Sequence, residues 1–224
     1  MSSVPNPLTA RERTLARGPA FRVVVSAADN VELDIGWTAL VSAFQDPDFG
    51  DETDWGDVWV RTKIRFLQAR GRGAALAFRA GVTLPETRLT RGLGPDALRG
   101  RGEILASGEL GGIRWHGNFG MVIQDDPFLP HNQRDYFTFG AAVERSVRSR
   151  TTLVAEVAGE TDGEIIDASR NEARLGVRVP TGKVVWDVAL RRGIGWASGR
   201  WGVTLGMSFA VRRPSCGRAP VRAE

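Results

Sequence analysis

The clearest pattern in the chain is the run Gly56-Asp-Val-Trp-Val-Arg-Thr-Lys-Ile-Arg-Phe-Leu67, in which apolar and polar side chains alternate. Alternation with a period of two is typical of a β-strand that has one apolar face and one polar face. After a glycine-rich turn at 69–73, the segment 74–84 repeats the alternation, so the two segments predict an antiparallel hairpin. Three side chains make the polar face of its first strand basic: Arg61, Lys63 and Arg65.

The same alternation recurs along the chain and predicts strands at 21–26, 31–45, 57–68, 74–84, 103–110, 113–124, 136–146, 151–159, 173–179, 184–192 and 201–211. Short turns and longer loops alternate strictly between these strands. Bacterial outer-membrane barrels connect their strands in this way, whereas β-sandwiches mix hairpins with crossovers. The sequence therefore predicts an all-β fold, an antiparallel up-and-down transmembrane β-barrel.

The number of strands predicts how the chain is divided. Single-chain bacterial barrels have an even number of strands, so the eleven predicted strands imply a barrel of twelve. We expect the first strand and the signal peptide to be absent from this chain, because residues 1–20 show neither a strand pattern nor an apolar signal segment. The predicted parts are an irregular segment at 1–20, the barrel at 21–211 and a basic tail at 212–224.

The two faces of the strands predict two sets of residues. In a membrane barrel the apolar face contacts lipid and the polar face lines the lumen. The predicted lumen-lining residues are Arg61, Lys63, Arg65, Arg79, Glu109, Arg114, His116, Asn118, Glu144, Glu156, Arg174, Arg178, Asp187 and Arg191. The predicted interfacial aromatic residues, which form girdles in such barrels, are Trp37, Trp115, Trp186, Trp201 and Phe209. A soluble β-sandwich or lipocalin-like binding protein, with tryptophans in its core, is the alternative.

The composition narrows the classes of function. The chain is 42% hydrophobic with a mean hydropathy of −0.19, and it has no apolar run near the roughly 18 residues that a spanning helix needs. The one cysteine, Cys216, excludes a disulfide framework and a cysteine metal cluster. The net charge of +4 comes from basic residues spread over many strands, which argues against nucleic acid as a partner. No metal or cofactor is expected.

Three features bear on whether the chain carries catalytic, metal or nucleotide chemistry. His116 and Asn118 share the inner face with Ser107 on the preceding strand, so a hydrolytic set inside the barrel is an alternative. No catalytic signature accompanies these residues, and we expect no enzymatic activity. The acidic loop 46–54 lacks the spacing of an EF-hand, and the glycine-rich stretch 192–199 precedes a strand and no helix. Neither stretch therefore predicts a calcium or nucleotide site.

Several segments, taken in order, resemble one family. They are Asn30-Val-Glu-Leu-Asp-Ile-Gly-Trp37, Gly56 to Leu67, Ala77-Phe-Arg-Ala-Gly-Val-Thr-Leu-Pro85, Gly92-Leu-Gly94, Gly117-Asn-Phe-Gly120, Leu153-Val-Ala-Glu156 and Trp201-Gly-Val-Thr-Leu-Gly-Met-Ser-Phe209. Through them the chain is similar to the bacterial outer-membrane β-barrel transporters of the phenol meta-pathway degradation type. The resemblance implies an outer-membrane, channel-like protein and assigns no catalytic residues. The chain departs from that family at its N-terminus and in the basic tail after Phe209.

These observations lead to one expectation about function. We expect a channel in the outer membrane of a Gram-negative bacterium for passive diffusion of a small anionic or aromatic solute, with a basic lumen that lowers the electrostatic cost of anion entry. Its other expected partners are outer-membrane lipid and lipopolysaccharide. A barrel filled by side chains, without conductance, and the lumen hydrolase stay open as alternatives, as does the oligomeric state.

Overall fold

A computed structural model describes residues 2–5, 8, 11–69, 73–94, 96–126, 132–148, 151–162, 170–194 and 200–211. These residues form fifteen strands and a 3₁₀ turn at Leu89–Arg91. The strands are β1 (Ser2–Pro5), β2 (Glu12–Arg17), β3 (Ala20–Ala28), β4 (Val31–Thr38), β5 (Val41–Asp46), β6 (Gly50–Asp54), β7 (Val58–Gln68), β8 (Ala75–Leu84), β9 (Arg99–Leu110), β10 (Ile113–Asp125), β11 (Gln133–Arg148), β12 (Thr151–Asp162), β13 (Arg170–Thr181), β14 (Val184–Ile194) and β15 (Trp201–Phe209). In this part of the chain, no helix is long and apolar enough to cross a membrane.

The strands form one antiparallel sheet that returns on itself. From β7 to β15 each strand pairs with its neighbours in the chain, which is the up-and-down order. One end of the sheet is β3–β4 and the other end is β2–β5–β6. β2 and β5 continue the hairpin of β3 and β4, so the two ends belong to the same hairpin. β1 lies between β15 and β2, because Ser2 pairs with Gly202 on one side and with Leu15 on the other. The ring has twelve strand positions when β2 with β3 and β4 with β5 are each counted once and β6 is left outside the ring. The predicted all-β antiparallel barrel is confirmed.

In the first hairpin, the side chains change from one face of the sheet to the other between β2 and β3 and between β4 and β5. The residue pairs on both sides of this interruption keep one register, and the Gly18 amide donates to the Leu40 carbonyl oxygen at 2.9 Å across it. Gly18 has a φ of 134°, a conformation that residues with a Cβ rarely adopt. Thr38 and Val41 line the same interior cavity although they are three positions apart in the sequence. A regular strand would turn them to opposite faces, so the backbone ladder continues while the side chains change sides.

Exposed apolar side chains cover the outer surface of the barrel. In β14, for example, Trp186 and Val188 are exposed, whereas Asp187 between them is partly covered. Leu205 in β15 is 71% exposed. A continuous apolar surface of this kind is unfavourable in water and is the surface that a membrane barrel presents to lipid. The charged side chains alternate with it and project into the interior.

The structure corrects the prediction for the N-terminal segment and the first long loop. Residues 1–20, predicted to be irregular, contain β1 and β2, and β1 occupies the ring position that was expected to be missing. The predicted strand 31–45 is interrupted between β4 and β5. The predicted loop 46–56 contains β6, whose sequence Gly50-Asp-Glu-Thr-Asp54 has no apolar face to reveal a strand.

Several other strands extend further than predicted at the ends that carry the long loops. β9 begins inside the predicted loop 85–102, and both β12 and β13 reach into the predicted loop 160–172. These strand ends are polar on both faces, as in Arg99-Gly-Arg-Gly102, so alternation does not mark them. The predicted tail 212–224 and residues 195–199 of the glycine-rich stretch lie outside the described residues.

Candidate functional site

An extension of the first hairpin is packed against the connection between β8 and β9. The extension consists of β2, β5 and β6, and we call residues 85–98 the cap loop and the two parts together the cap. Leu93 of the cap loop is buried in a small core with Leu15, Val41 and Ala43 of the extension. Because this core lies at the end of the barrel that carries the long loops, the cap belongs to that end.

Polar contacts fasten the cap loop. Arg13 is buried, forms an ion pair with Asp46 at 3.1 Å and donates a hydrogen bond to the Gly92 carbonyl oxygen. Asp57, just before β7, accepts hydrogen bonds from the Thr87 amide at 3.3 Å and from the Thr87 hydroxyl at 3.0 Å. The cap loop is therefore tied both to the extension and to the barrel wall.

Four of the five acidic residues of loop 46–54 form ion pairs with arginines. Glu52 pairs with Arg91 at 3.2 Å and Asp54 pairs with Arg88 at 3.6 Å, which joins β6 to the cap loop. Across the described ranges, no group of three or more histidine, cysteine, aspartate and glutamate side chains is placed to hold a metal ion. The acids of this loop thus serve the cap as partners of basic side chains.

A cavity of about 220 Å³ lies between the cap and the barrel wall. Five arginines line it: Arg17, Arg61, Arg99, Arg101 and Arg170. Among the described lining residues, Asp57 is the one carboxylate, and its Oδ1 atom already accepts the hydrogen bonds of the cap loop. The cavity therefore presents mainly guanidinium groups.

Carboxylates compensate part of this positive charge. Glu160 pairs with Arg99 at 2.9 Å and with Arg101 at 2.6 Å. Glu103, which is 1% exposed, pairs with Arg79 at 2.7 Å. Among the described residues, three arginines of the cavity have no carboxylate oxygen within 4.0 Å: Arg17, Arg61 and Arg170.

Like charges act on these uncompensated arginines. Arg17 is repelled by Arg170 and attracted by Asp57. Arg61 is repelled by Arg101 and Arg79 and attracted by Asp34 and Glu103. We call the following six residues the arginine cluster: Arg17, Arg61, Arg79, Arg99, Arg101 and Arg170. Among the described residues, the carboxylates near them are those of Asp34, Asp57, Glu103 and Glu160, and Asp34 is already paired with Arg22. Among these described residues, guanidinium groups therefore outnumber carboxylates. An anion placed among them would relieve that repulsion.

Trp59 supports one member of the arginine cluster. The Arg61 guanidinium carbon lies 5.6 Å from the centre of the Trp59 ring, within the range of a cation–π contact. The indole lies against Gly36, where an added Cβ would come within 2.0 Å of its Cζ2 atom. Gly36 therefore makes room for the indole, and the indole in turn positions the guanidinium.

Several predicted lumen residues are neutralised by carboxylates on neighbouring strands. Lys63 pairs with Glu32 at 2.5 Å. Glu144 pairs with Arg114 at 2.8 Å and with Arg178 at 3.1 Å, so one carboxylate joins two arginines. The part of the interior below the cavity is therefore less basic than a count of its lysines and arginines indicates.

A second group of predicted lumen residues shows the same compensation. Glu172 pairs with Arg174 and with Arg191, and Arg174 also lies 3.5 Å from Glu156. Arg65 donates a hydrogen bond to a backbone carbonyl oxygen at 2.8 Å near the short turn between β3 and β4. Of the eight lysines and arginines predicted to line the lumen, Arg61 is the one that the described structure brings to the cavity without a carboxylate partner.

The remaining predicted lumen residues lie on the same strands away from the cavity. Glu109 is opposite Arg114 in the ladder, and His116 is opposite Ser107. In the described structure no hydrogen bond joins the Ser107 hydroxyl to the His116 ring. Asn118 and Asp187 each lie against a glycine of the adjacent strand, Gly140 and Gly206 respectively.

The predicted interfacial aromatic residues lie near the two ends of the strands. Two are at the end with the long loops, Trp37 and Trp201, and three are at the end with the short turns, Trp115, Trp186 and Phe209. Trp37 stacks with Phe21 and Trp55, with ring centres 6.0 Å and 5.7 Å away. The guanidinium carbon of Arg192 lies 5.0 Å from the Trp201 ring centre. These contacts extend the aromatic surface at the long-loop end.

The sequence prediction did not include most of the charged residues in and beside the cavity. Arg17, Arg99, Arg101, Glu160 and Arg170 fall in segments predicted to be irregular or to be loops. The signal that could have found them is the period of two, because Arg99 and Arg101 continue the spacing of an inward glutamate along β9. Continuing the alternation of each strand into its polar end would have included these residues in the predicted interior.

Comparisons with known proteins bear on the fold. No family model matches the sequence, and no curated protein matches it. The crystal structure of an outer membrane channel from Pseudomonas putida F1 is similar, with a TM-score of 0.65 and 13% sequence identity. The similarity covers 92% of this chain and 88% of that chain. The chain thus has the barrel fold of an outer membrane channel.

Proposed function

We propose that the protein is a channel in the bacterial outer membrane through which a small anionic solute diffuses passively. The observation that carries the proposal is the uncompensated positive charge of Arg61 and its neighbours in the barrel interior. Fixed positive charge in a narrow passage lowers the electrostatic cost of moving an anion out of water and raises that cost for a cation. The charge excess therefore favours anions over cations.

The outer surface of the barrel supports the proposed location in the outer membrane. Its apolar residues are exposed along every long strand, and the aromatic residues lie near the strand ends. This distribution suits lipid around the middle of the barrel and headgroups, including lipopolysaccharide, at its ends. The similar segments noted in the sequence support membership of the phenol meta-pathway degradation type of transporter, which is part of the proposal.

Planar-bilayer recordings test the proposed function. The full chain is refolded into detergent and inserted into bilayers under a potassium chloride gradient, and the reversal potential gives the permeability ratio of chloride to potassium. We expect the unchanged chain to prefer chloride and both Arg61→Gln and Arg170→Gln to reduce that preference. Arg145→Gln is the matched control, because Arg145 is exposed on the outer face of β11. Equal reversal potentials in all four proteins would reject the anion path.

A second candidate is a filled barrel without conductance. The ion pairs around Glu144 and Glu172 join side chains across the interior face and favour this reading. Small barrels are commonly filled by side chains, and twelve strands lie between those and the open porins. A folded chain that inserts into bilayers and gives no channel events would favour the filled barrel.

The lumen hydrolase is a third candidate. The one observation in its favour is that Ser107 and His116 are opposite each other in the ladder between β9 and β10. A hydrolase of this kind needs a hydrogen bond from the nucleophile to the base, which tightens when substrate binds. Esterase assays of the folded chain, of Ser107→Ala and of His116→Ala test it. Activity that both substitutions abolish would support the hydrolase, and unchanged activity would reject it.

A further inference from the structure

We infer that the arginine cluster is a binding site for a small organic carboxylate in the cavity beneath the cap. The inference builds on the proposed anion channel, for which it names the class of solute, but it concerns binding and needs no conductance. The cavity of about 220 Å³ is smaller than the roughly 300–1,000 Å³ of pockets for drug-sized ligands, so its ligand is small.

The charge of the site selects an anion. Arg17, Arg61 and Arg170 have no carboxylate within 4.0 Å among the described residues, and all three line the cavity. Arg99 and Arg101 share the carboxylate of Glu160, and Arg101 also pairs with Glu103 at 3.4 Å. A guanidinium group presents two parallel N–H donors that match the two oxygens of a carboxylate. Several such groups around one cavity can hold one carboxylate from more than one side.

Part of the cavity wall is apolar and favours an organic anion over an inorganic one. Val41 and Leu93 from the cap and Val122 from β10 line it together with the Trp59 indole. These side chains offer no donors or acceptors apart from the indole N–H, so they suit the apolar body of a ligand. A phosphate or sulfate ion has no such body and would leave this wall unused. The cavity therefore matches a carboxylate on a small apolar group.

Side chains from both the cap and the barrel wall form the site. Arg17, Val41 and Leu93 reach the cavity from the extension and the cap loop, and the barrel wall supplies the remaining arginines. Asp57 lines the cavity too, but its Oδ1 atom accepts hydrogen bonds from the Glu86 amide at 3.1 Å and from the Thr87 hydroxyl at 3.0 Å. That carboxylate is committed to holding the cap loop.

Isothermal titration calorimetry of the full chain, folded in detergent, tests the inference with benzoate as the small carboxylate. We expect one benzoate per chain, and Arg61→Gln or Arg170→Gln should each weaken the affinity by about tenfold, because each removes a charged hydrogen-bond donor. Arg145→Gln, on the outer face, should leave the affinity unchanged. Heat-modifiable gel mobility checks that each variant is folded. An affinity that Arg61→Gln and Arg170→Gln do not change would overturn the site.

Two further probes use the unchanged chain, so they decide the matter even where a variant folds poorly. Benzyl alcohol has the same ring without the charge, and we expect it to bind at least tenfold more weakly than benzoate. Inorganic phosphate should also bind more weakly, because it lacks an apolar body. Equal binding of benzyl alcohol would show an apolar pocket, and stronger binding of phosphate would show an inorganic anion site. Either result overturns the inference.

The binding and conductance results separate the two proposals. Benzoate binding in a chain that gives no channel events would keep the site and reject the channel. Channel events with chloride preference in a chain that shows no heat with benzoate would keep the channel and reject the site.

Discussion

Arg13 and Asp46 form an ion pair of 3.1 Å in the cap, and their side chains are 3% and 0% exposed. Removing two charges from water costs several kcal/mol per ion, which close contact and further hydrogen bonds must offset. Arg13 supplies one such bond to the Gly92 carbonyl oxygen, and Asp46 accepts bonds from the amides of Asp48 and Phe49 at 3.0 Å and 3.2 Å. The pair therefore joins β2, β5 and the cap loop at one point.

Asp46→Ala should loosen the cap, because it leaves Arg13 buried without its carboxylate. Breaking a buried pair in this way costs about 3–5 kcal/mol. Limited proteolysis of the folded chain in detergent would detect the change as faster cleavage within the cap loop. Asp48→Ala is the control, since its partner Arg11 is 63% exposed and a surface pair contributes about 1 kcal/mol or less. Equal cleavage rates for the two variants would contradict the role given to the buried pair.

Glu160→Gln should raise the preference for anions. Glu160 is the shared carboxylate of Arg99 and Arg101, so the change adds one uncompensated positive charge to the cavity. Reversal potentials should show a larger ratio of chloride to potassium permeability than in the unchanged chain. The difference should shrink between 0.1 M and 1 M salt, where the Debye length falls from about 10 Å to about 3 Å.

Glu52→Gln provides the control for this charge change. It removes the same charge from the cap, where Glu52 pairs with Arg91 outside the cavity. We expect it to shift the reversal potential less than Glu160→Gln does. A lower ratio of chloride to potassium permeability in Glu160→Gln than in the unchanged chain would show that the arginine cluster does not set the selectivity.

Gly36→Ala should displace Trp59 and, with it, Arg61. The added Cβ would lie 2.0 Å from the indole Cζ2 atom, so the ring has to move. Overpacking of this kind costs about 1–3 kcal/mol, which urea unfolding of the detergent-folded chain would measure. Gly117→Ala is the control, because its Cβ would come no closer than 3.8 Å to the nearest atom. A normal stability together with unchanged anion preference in Gly36→Ala would argue against the positioning role of Trp59.

Deletion of residues 2–5 should weaken the closure of the barrel. Within the described ranges, β1 is the strand that connects β15 to β2, through Ser2–Gly202 and through four pairs with β2. Unpaired backbone groups in an apolar environment cost several kcal/mol each. We expect the deleted chain to lose its heat-modifiable gel mobility at a lower temperature. Ser3→Ala, which keeps the backbone pairs, should behave as the unchanged chain, and an equal effect of both changes would contradict the closure.

The barrel itself could be predicted from the sequence because its middle section obeys one simple rule. Where one face meets an apolar environment and the other meets charged groups, apolar and polar residues alternate, as in Val58 to Phe66. The strict alternation of short turns and long loops then distinguished a membrane barrel from a β-sandwich. The polar face also gave Arg61 as a residue of the interior.

The cap and most of the arginine cluster could not be predicted, because the rule fails at the end of the barrel that carries the long loops. There the strands have polar residues on both faces, and their partners come from distant parts of the chain. Arg13 contacts Gly92 and Arg99 contacts Glu160, pairs separated by 79 and 61 residues. Alternation describes one strand at a time and contains no information on such contacts. For the same reason the sequence did not show which basic residues are neutralised.

The face switch in the first hairpin determines how the cavity can open. Backbone hydrogen bonds run through the interruption without a gap, so the extension cannot pivot on the barrel wall as a hinged door would. The cap loop is held differently, by side chains such as Arg13 and Asp57, and these contacts can be exchanged for water one at a time. Between the two parts of the cap, the cap loop is therefore the one whose contacts a solute can replace singly, while the hairpin acts as a fixed frame.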